Sequence, residues 1–279
     1  MIPFNFVYYR PDSLGAAAEV YEKLRREGVS AVYYAGGSEI ITMCRAGAIE
    51  PRAVIDIKRI PECMILSPGD RRMTIGSACT LSQIGESRMF PLLALSCGRI
   101  ADHTNQCRIT LGGNLCGSIQ YRETSLPLLL SDADISLYGP EGARDVPFHS
   151  VFDGYMRLKP GELVVAVHVP VWALTAQCAH MKKTANEKID YPLVSVAAVW
   201  RDGCLRIAFS GVCAFPFRSQ AIESVLNDRT MTRGERAQRA ACLLPAPVTS
   251  DAEGSGEYRL FVFRNTIDEI LEGWENGTL

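Results

Sequence analysis

The chain has 279 residues, of which 47% are hydrophobic and 22% are charged, and its formal net charge at pH 7 is −2. This composition is ordinary for a globular protein, and the length suits two domains better than one core. A charge so close to neutral gives no electrostatic basis for binding nucleic acid or an anionic membrane.

The ten cysteines contain no Cys-x-x-Cys pair. The sequence therefore predicts no metal site and favours free thiols in a reducing, cytoplasmic setting. No apolar run approaches the ~20 residues that a membrane span needs. The first residues lack a basic segment followed by an apolar core, so we expect no signal peptide.

Residues 1–55 have the pattern of a small β-α-β unit. An amphipathic segment predicts a helix over 14–26 that ends at Gly28, and β-branched and aromatic residues predict strands over 31–35 and 53–57. Between these strands lies the first glycine motif, Ala-Gly-Gly-Ser-Glu-Ile at 35–40, which predicts a turn opening a helix that stops at Gly47. Ser38 is its expected N-cap.

Two adjacent glycines allow a positive φ and a close approach of the backbone to a ligand. The free amides at the following helix start suit a phosphate. The alternative is a tight turn with an ordinary cap. A second glycine motif, Thr-Leu-Gly-Gly-Asn at 110–114, favours the ligand-binding interpretation.

Residues 60–170 form a second predicted unit. Its strands are expected over 73–76, 135–138 and 163–169, and a capped helix is expected to start over 80–84. Further helices are expected over 91–100, reaching into 101–103, and over 125–130. The second glycine motif is predicted to be a loop between them.

From about residue 176 the pattern changes to a hairpin followed by helices. The segments 194–200 and 205–210 flank Asp202-Gly203, a strong hairpin signal. Helices are expected over 219–226, 233–243 and 261–274, with loops at 245–247 and 254–256.

Several common catalytic motifs are absent. The sequence has no G-x-G-x-x-G, no G-x-S-x-G and no H-E-x-x-H. Gly112 and Gly117 have the spacing of the P-loop glycines, but Ser118-Ile119 follows them where a P-loop needs Lys and then Ser or Thr. His168 lies inside an apolar strand and is expected to be structural, whereas His103 could be either a surface or a site residue. Asp56 is expected to cap a turn rather than to bind a ribose.

The two glycine motifs resemble those of the flavoprotein subunits of molybdenum hydroxylases, which read Ala-Gly-Gly-Thr-Asp and Thr-(Ile/Leu)-Gly-Gly-Asn. Five further matches follow in the family order along the whole chain, at 9–14, 54–57, 74–77, 161–163 and 194–197. The resemblance implies an α+β protein with a PCMH-type FAD-binding fold over 1–172. Its two α/β subdomains would be about 1–57 and 58–172. A C-terminal sheet-and-helix domain of the carbon monoxide dehydrogenase flavoprotein type would cover 176–279.

The same resemblance implies FAD as the cofactor and names residues that would contact it. Around the pyrophosphate it places Tyr34, Ala35, Gly36, Gly37, Ser38, Glu39 and Ile40. At the phosphate and the ribityl–flavin region it places Thr110, Gly113 and Asn114. Gly117 is a further expected cofactor-binding residue. Near the flavin it places Ala101, Asp190 and Tyr191. Glu123 takes the position of a family aspartate that bonds the cofactor. No catalytic side chain and no metal ligand is implied.

The implied function is that of an FAD-binding oxidoreductase subunit of a xanthine-dehydrogenase-like complex. Its partners would be an iron–sulfur subunit and a molybdopterin-containing subunit, and electrons would pass through FAD to NAD or another acceptor. One departure is the segment 118–124, which lacks the family Ala-Ser-Pro pattern. Two alternatives remain, namely a stand-alone PCMH flavoenzyme and a flavin-free structural subunit.

Overall fold

A three-stranded parallel sheet forms the first unit of the computed structural model, which describes residues 2–277. The strand order is β1–β3–β2, with α1 packing its Ala17 and Leu24 against the central strand. The elements are β1 (Val7–Tyr9), α1 (Leu14–Arg26), β2 (Ala31–Tyr34), α2 (Ser38–Arg45) and β3 (Ala53–Asp56).

A five-stranded antiparallel sheet with the order β4–β5–β8–β6–β7 forms the second unit. Its strands are β4 (Leu66–Ser67), β5 (Arg72–Gly76), β6 (Asp134–Gly139), β7 (Gly142–Pro147) and β8 (Leu163–Pro170). Its helices are α3 (Pro61–Met64), α4 (Leu81–Ser87), α5 (Pro91–Cys97), α6 (His103–Gln106), α7 (Leu111–Cys116), α8 (Ser125–Leu130) and α9 (Phe148–Val151).

The third unit is a four-stranded antiparallel sheet with the order β12–β11–β10–β9. Its elements are α10 (Val171–Thr175), β9 (Cys178–Thr184), β10 (Pro192–Arg201), β11 (Cys204–Ser210), β12 (Phe217–Arg218), α11 (Gln220–Leu226), α12 (Arg233–Cys242) and α13 (Gly256–Glu275). Within residues 2–277, no helix combines the length and the hydrophobicity that crossing a membrane would require.

Strand β10 is buried on both faces, which explains its nearly continuous apolar sequence. Ala197 and Val199 join the core of the second unit, whereas Val196 and Ala198 join the core beneath the C-terminal helices. Because alternate side chains of a strand point to opposite faces, both faces must be apolar. The third sheet is therefore a layer between the second unit and helices α11–α13.

Several predicted boundaries are confirmed by local geometry. Ser13 Oγ accepts a hydrogen bond from Ala16 N at 3.3 Å at the start of α1, and Gly28 after it has φ +70°. The predicted hairpin joins β10 to β11 through Asp202 and Gly203, which both have a positive φ. Thr80 and Gln83 form a capping box at the start of α4.

Two predicted helix boundaries are wrong. Helix α5 ends at Cys97 rather than reaching residues 101–103, because Ala101 adopts a positive φ of 55° and Asp102 caps the separate helix α6. Helix α13 begins at Gly256 rather than near Phe261. Ser255 Oγ accepts from Tyr258 N at 3.2 Å, so an N-cap overrides the loop-like composition of 254–256.

Arg259 of α13 is a fully buried arginine that connects three segments of the third unit. Its Nη1 donates to the carbonyl oxygens of Pro192, Leu193 and Gly211, each at 2.9 Å. Its Nη2 donates to Asp251 Oδ1 at 2.5 Å. The guanidinium therefore anchors the start of β10 and the end of β11 against the last helix.

We expect Arg259→Met to lower the free energy of unfolding by about 3–5 kcal/mol, because it leaves three buried carbonyl oxygens without a donor and removes the ion pair of a buried guanidinium with Asp251. Urea unfolding followed by circular dichroism measures this loss. The matched control is Arg264→Met on the same helix, where the side chain is only partly buried and bonds Gln238 Oε1. Equal effects of the two substitutions would contradict the anchoring role of Arg259.

Candidate functional site

The first glycine motif leaves the sheet at the carboxyl end of β2. Tyr34 O still accepts from Ile57 N at 3.0 Å, and the chain then turns through Gly36 and Gly37 into α2. Gly37 has φ +74°, and a Cβ atom there would overlap the Tyr34 ring. Only glycine meets both conditions, because other residues are strained at this φ.

Ser38 is the first residue of α2 rather than its N-cap, so this prediction is wrong. Gly37 takes the cap position in the left-handed conformation and offers no side-chain cap. The Ser38 hydroxyl is consequently left buried without a hydrogen-bond partner in the described structure. Among residues 2–277, the backbone amides of Gly36 and Gly37 also have no acceptor.

The second glycine motif lies in the first turn of α7 and is not a loop, which corrects the prediction. Thr110 caps this helix, and its Oγ1 accepts from Gly113 N at 3.2 Å. Gly112 packs on Ser77. A Cβ atom added to Gly112 would lie only 2.7 Å from the Cβ atom of Ser77. Gly113 is exposed, and its added Cβ would meet only Thr110 Oγ1, at 3.0 Å.

The two motifs meet and form one surface. A Cβ atom on Gly36 would overlap the carbonyl oxygen of Arg108, just before the second motif. Glu39 Oε1 accepts from Ser118 N at 2.6 Å and from Ser118 Oγ at 2.7 Å. A Cβ on Gly117 would lie 2.6 Å from Glu39 Oε2. The Glu39 carboxylate therefore ties α2 to the end of α7.

The remaining predicted residues near this surface are already involved in backbone or side-chain contacts. Asn114 Oδ1 accepts from Thr124 Oγ1 at 2.6 Å. Ala101 is half-buried, and its carbonyl oxygen accepts from Gln106 Nε2 at 2.9 Å. The Asn114 amide nitrogen has no acceptor within the described part of the chain and stays available as a donor.

Glu123 lies in a buried cluster between the second and third units. Its Oε2 pairs with Lys182 Nζ at 3.0 Å, and this ammonium also donates to Arg99 O at 2.7 Å. Burial raises the pKa of Glu123, although Lys182 opposes the shift. Its second oxygen, Oε1, is buried without a hydrogen-bond partner among residues 2–277.

Asp190 and Tyr191 lie in the connection between β9 and β10. Tyr191 is 54% exposed and stacks on the buried ring of Tyr121, with the centroids 4.9 Å apart. Asp190 Oδ2 accepts from Glu187 N at 2.9 Å and so stabilises its own turn. The exposed face of Tyr191 is available to a planar ligand, whereas the Asp190 carboxylate has a local structural partner.

Sequence analysis did not single out two residues that support this region. Lys58 donates to the carbonyl oxygen of Ala35 at 2.7 Å, and Lys182 forms the buried pair with Glu123. Lys58 follows the buried strand β3, and Lys182 lies in β9, a strand of mixed composition that the sequence analysis did not predict, so no local signal marks either lysine. Arg122 is buried and donates to Gly117 O and Gly154 O.

The donor set fits a ligand that carries phosphate. Unpartnered amides at a helix N-terminus, together with a buried free hydroxyl, form an anion-binding arrangement. A cavity of about 580 Å³ lies elsewhere, between α12 and α13, and contains none of the predicted site residues. No three His, Cys, Asp or Glu side chains within 2–277 are grouped to hold a metal ion.

Comparison with known proteins decides the family. The family described as "FAD binding domain in molybdopterin dehydrogenase" matches residues 3–172. The chain belongs to this family. The carbon monoxide dehydrogenase medium chain of Hydrogenophaga pseudoflava is 30% identical over 93% of both chains. The xanthine dehydrogenase FAD-binding subunit of Escherichia coli O157:H7 is 26% identical over 96% of both chains.

The solved structures agree with this assignment. Carbon monoxide dehydrogenase from Hydrogenophaga pseudoflava, in a form lacking the Mo-pyranopterin moiety of its molybdenum cofactor, superposes with a TM-score of 0.84 at 26% identity, covering 96% of both chains. The predicted α+β FAD-binding fold and the FAD cofactor are thus confirmed. The chain is an FAD-binding oxidoreductase subunit of the molybdenum hydroxylase family. The individual contact residues stay predictions.

We expect an acid-dependent loss of stability from His180, whose Nε2 lies 3.3 Å from Ser195 Oγ. Burial, aided by the charges of Lys182 and Arg99, lowers the pKa of His180 to about 3. An unfolded histidine titrates near about 6.5, so between these values only the unfolded chain gains this proton. Stability from this group is therefore complete above about pH 6.5 and falls by about 1 kcal/mol per pH unit below it.

The measurement is urea unfolding between pH 7 and pH 5, compared with the His180→Gln variant. The variant should lose stability less steeply with falling pH, because it lacks this one titration. Parallel stability curves for the two proteins would contradict the assigned pKa.

Proposed function

We propose that this chain transfers electrons from an iron–sulfur partner subunit to NAD or another acceptor, within a xanthine-dehydrogenase-like molybdenum hydroxylase. The complex would also contain a molybdopterin-bearing subunit. Bound FAD supplies the redox chemistry, which the amino-acid side chains of the site do not provide. The names of the relatives support this role, since they include medium chains and an FAD-binding subunit of dehydrogenases. The ten free thiols support a reducing, cytoplasmic setting.

The observation that carries the proposal is the contact between the two glycine motifs. It brings the first motif, with the unpartnered amides of Gly36 and Gly37 and the free Ser38 hydroxyl, against Arg108 and Ser118, which flank the second motif. We assign residues 34–40 to the pyrophosphate and Thr110, Gly113, Asn114 and Gly117 to the phosphate and ribityl region. Backbone donors that are fixed before binding need no rearrangement to receive an anion.

We assign the exposed ring of Tyr191 to one face of the isoalloxazine. The stack on Tyr121 holds the ring in place, and its outer face is free to contact a second aromatic system. Ala101, Glu123 and Asp190 are proposed to lie at the same end. The unpartnered Oε1 of Glu123 supports a polar contact there, because a buried carboxylate oxygen is costly without a donor.

We also propose that the FAD-binding domain covers 1–172, with subdomains of about 1–57 and 58–172, and that a C-terminal domain covers 176–279. Three hydrophobic clusters support the division, one centred on each unit, although that of the first unit also includes Leu163, Val165 and Ala166 of β8. The cluster of the second unit includes Ala197 and Ala208 of the third sheet, so the two domains share a packed interface.

Flavin retention tests the assignment of the second motif. We expect Gly113→Val to lower FAD affinity at least about 10-fold, because the side chain projects from the exposed surface into the proposed ligand space. The matched control is Gly234→Val, which adds the same side chain to the first turn of α12 where nothing lies within 4 Å of the added Cβ. The measurement is quenching of FAD fluorescence, with circular dichroism as the check on folding. Equal FAD affinities in the two variants would refute the assignment.

Purification of the tagged chain from its own cells tests the proposed partners. We expect iron and molybdenum to co-purify with it, and substrate-reduced complex to reduce NAD or a substitute acceptor. The Gly113→Val chain should retain both metals but lose this electron transfer, since the substitution lies in the proposed flavin site. A tagged chain that contains flavin but recovers neither metal would contradict membership of such a complex.

A further inference from the structure

The carboxyl ends of all three parallel strands of the first unit meet at the first glycine motif. Arg10 follows β1, Asp56 ends β3 and Ala35 follows β2. In open parallel sheets, ligands bind at the carboxyl ends of the strands. The residues that follow the strands at this edge are therefore the ones placed to act on a ligand of the glycine motif.

Lys58 is the residue at this edge that contacts the motif itself. Its Nζ lies 2.7 Å from Ala35 O and 2.8 Å from Asp56 Oδ2. The ammonium also sits over the Tyr34 ring, 4.6 Å from the centroid. It is thus held by three groups, two of which belong to the strand end and turn that precede Gly36.

Peptide geometry explains why this contact matters to a ligand. In a planar trans peptide the carbonyl oxygen and the following N–H point in opposite directions. Because Lys58 draws the Ala35 carbonyl toward itself, the N–H of Gly36 is directed to the opposite side of the chain. Lys58 therefore orients one of the unpartnered amides assigned to the pyrophosphate.

The charges around Lys58 leave this edge positive. Asp56 is buried, and although burial alone would raise its pKa, hydrogen bonds from Lys58 and Tyr8 lower it, so it stays ionised. Burial and the bond to Asp56 raise the pKa of Tyr8 to about 12, so Tyr8 stays neutral. Arg10 Nε lies 4.0 Å from Asp56 Oδ2. Two cations, Arg10 and Lys58, thus face one carboxylate, which leaves a net charge of +1.

The ammonium of Lys58 has a donor to spare. A lysine carries three N–H donors, and only two acceptors, Ala35 O and Asp56 Oδ2, are found for it within residues 2–277. Its side chain is 34% exposed, so the third donor is accessible. A charged donor beside unpartnered amides suits an anionic oxygen better than a neutral group.

We propose that Lys58 is a positioning and binding residue for the pyrophosphate of FAD: it orients the Ala35–Gly36 peptide and adds a charged donor. The inference rests on the proposed placement of the pyrophosphate at residues 34–40. Asp56 sets the direction of the ammonium, and Tyr8 and Arg10 hold Asp56. The cluster belongs to the binding of the diphosphate rather than of the flavin ring.

The test is to titrate four flavin-free proteins with FAD. These are the parent and the variants Lys58→Gln, Lys58→Arg and Lys23→Gln. Lys23 is an exposed lysine on α1 of the same unit, away from the motif, and controls for the lost charge. We expect Lys58→Gln to weaken FAD binding at least about 10-fold and to make it less dependent on salt. Lys58→Arg should restore most of the affinity, and Lys23→Gln should match the parent.

Two results would overturn the inference while leaving FAD binding intact. One is an FAD affinity of Lys58→Gln equal to that of Lys23→Gln. The other is that Lys58→Arg binds FAD as weakly as Lys58→Gln does, while the salt dependence of binding stays that of the parent. This result would show that Lys58 acts through the packing of its side chain and not through its charge. A parent protein that does not bind FAD would instead refute the proposed pyrophosphate site. Thermal unfolding of each variant separates loss of binding from loss of folding.

Discussion

The absence of a side chain at Gly36 allows the two glycine motifs to touch, and the site depends on that contact. A Cβ atom there would overlap the Arg108 carbonyl oxygen, so any other residue would push the first unit away from the second. Glu39 then bonds Ser118 across the same junction. A surface built from two separate units gains its shape from this single close approach of backbones.

Buried charges make the second junction, between the second and third units. The Glu123–Lys182 pair, whose side chains are 5% and 1% exposed, draws β9 against the segment before α8. Arg259 fixes the start of β10 from the other side, and β10 begins immediately after Tyr191. Removing one partner from the Glu123–Lys182 pair or from the contacts of Arg259 leaves buried polar groups unpaired. This lowers the free energy of unfolding more than the loss of a surface ion pair does. These contacts therefore hold the stacked Tyr121 and Tyr191 rings in a defined place.

The phosphate and flavin ends of the proposed site use different physical means. At the phosphate end, backbone amides and a helix N-terminus supply fixed dipoles, and Lys58 adds a charge. At the flavin end, an aromatic face and buried polar atoms supply contacts to a planar ring. One extended dinucleotide would satisfy both ends, in agreement with the FAD-binding family to which the chain belongs.

The sequence by itself determined the glycine motifs, the order of the three units, the capped start of α4 and the hairpin at Asp202-Gly203. These are local signals, since a positive φ, a capping hydroxyl or a hydrophobic period is written in neighbouring residues. Strands β1 and β7 escaped prediction because they are short or polar, and pairing across the chain stabilises them. Local geometry that the sequence analysis misread makes Gly37 rather than Ser38 the cap of α2 and puts Gly113 in a helix. Only the tertiary structure decided that Lys58 and Lys182 support the site, because their partners, Ala35 and Glu123, lie far away in sequence and no local pattern encodes that proximity.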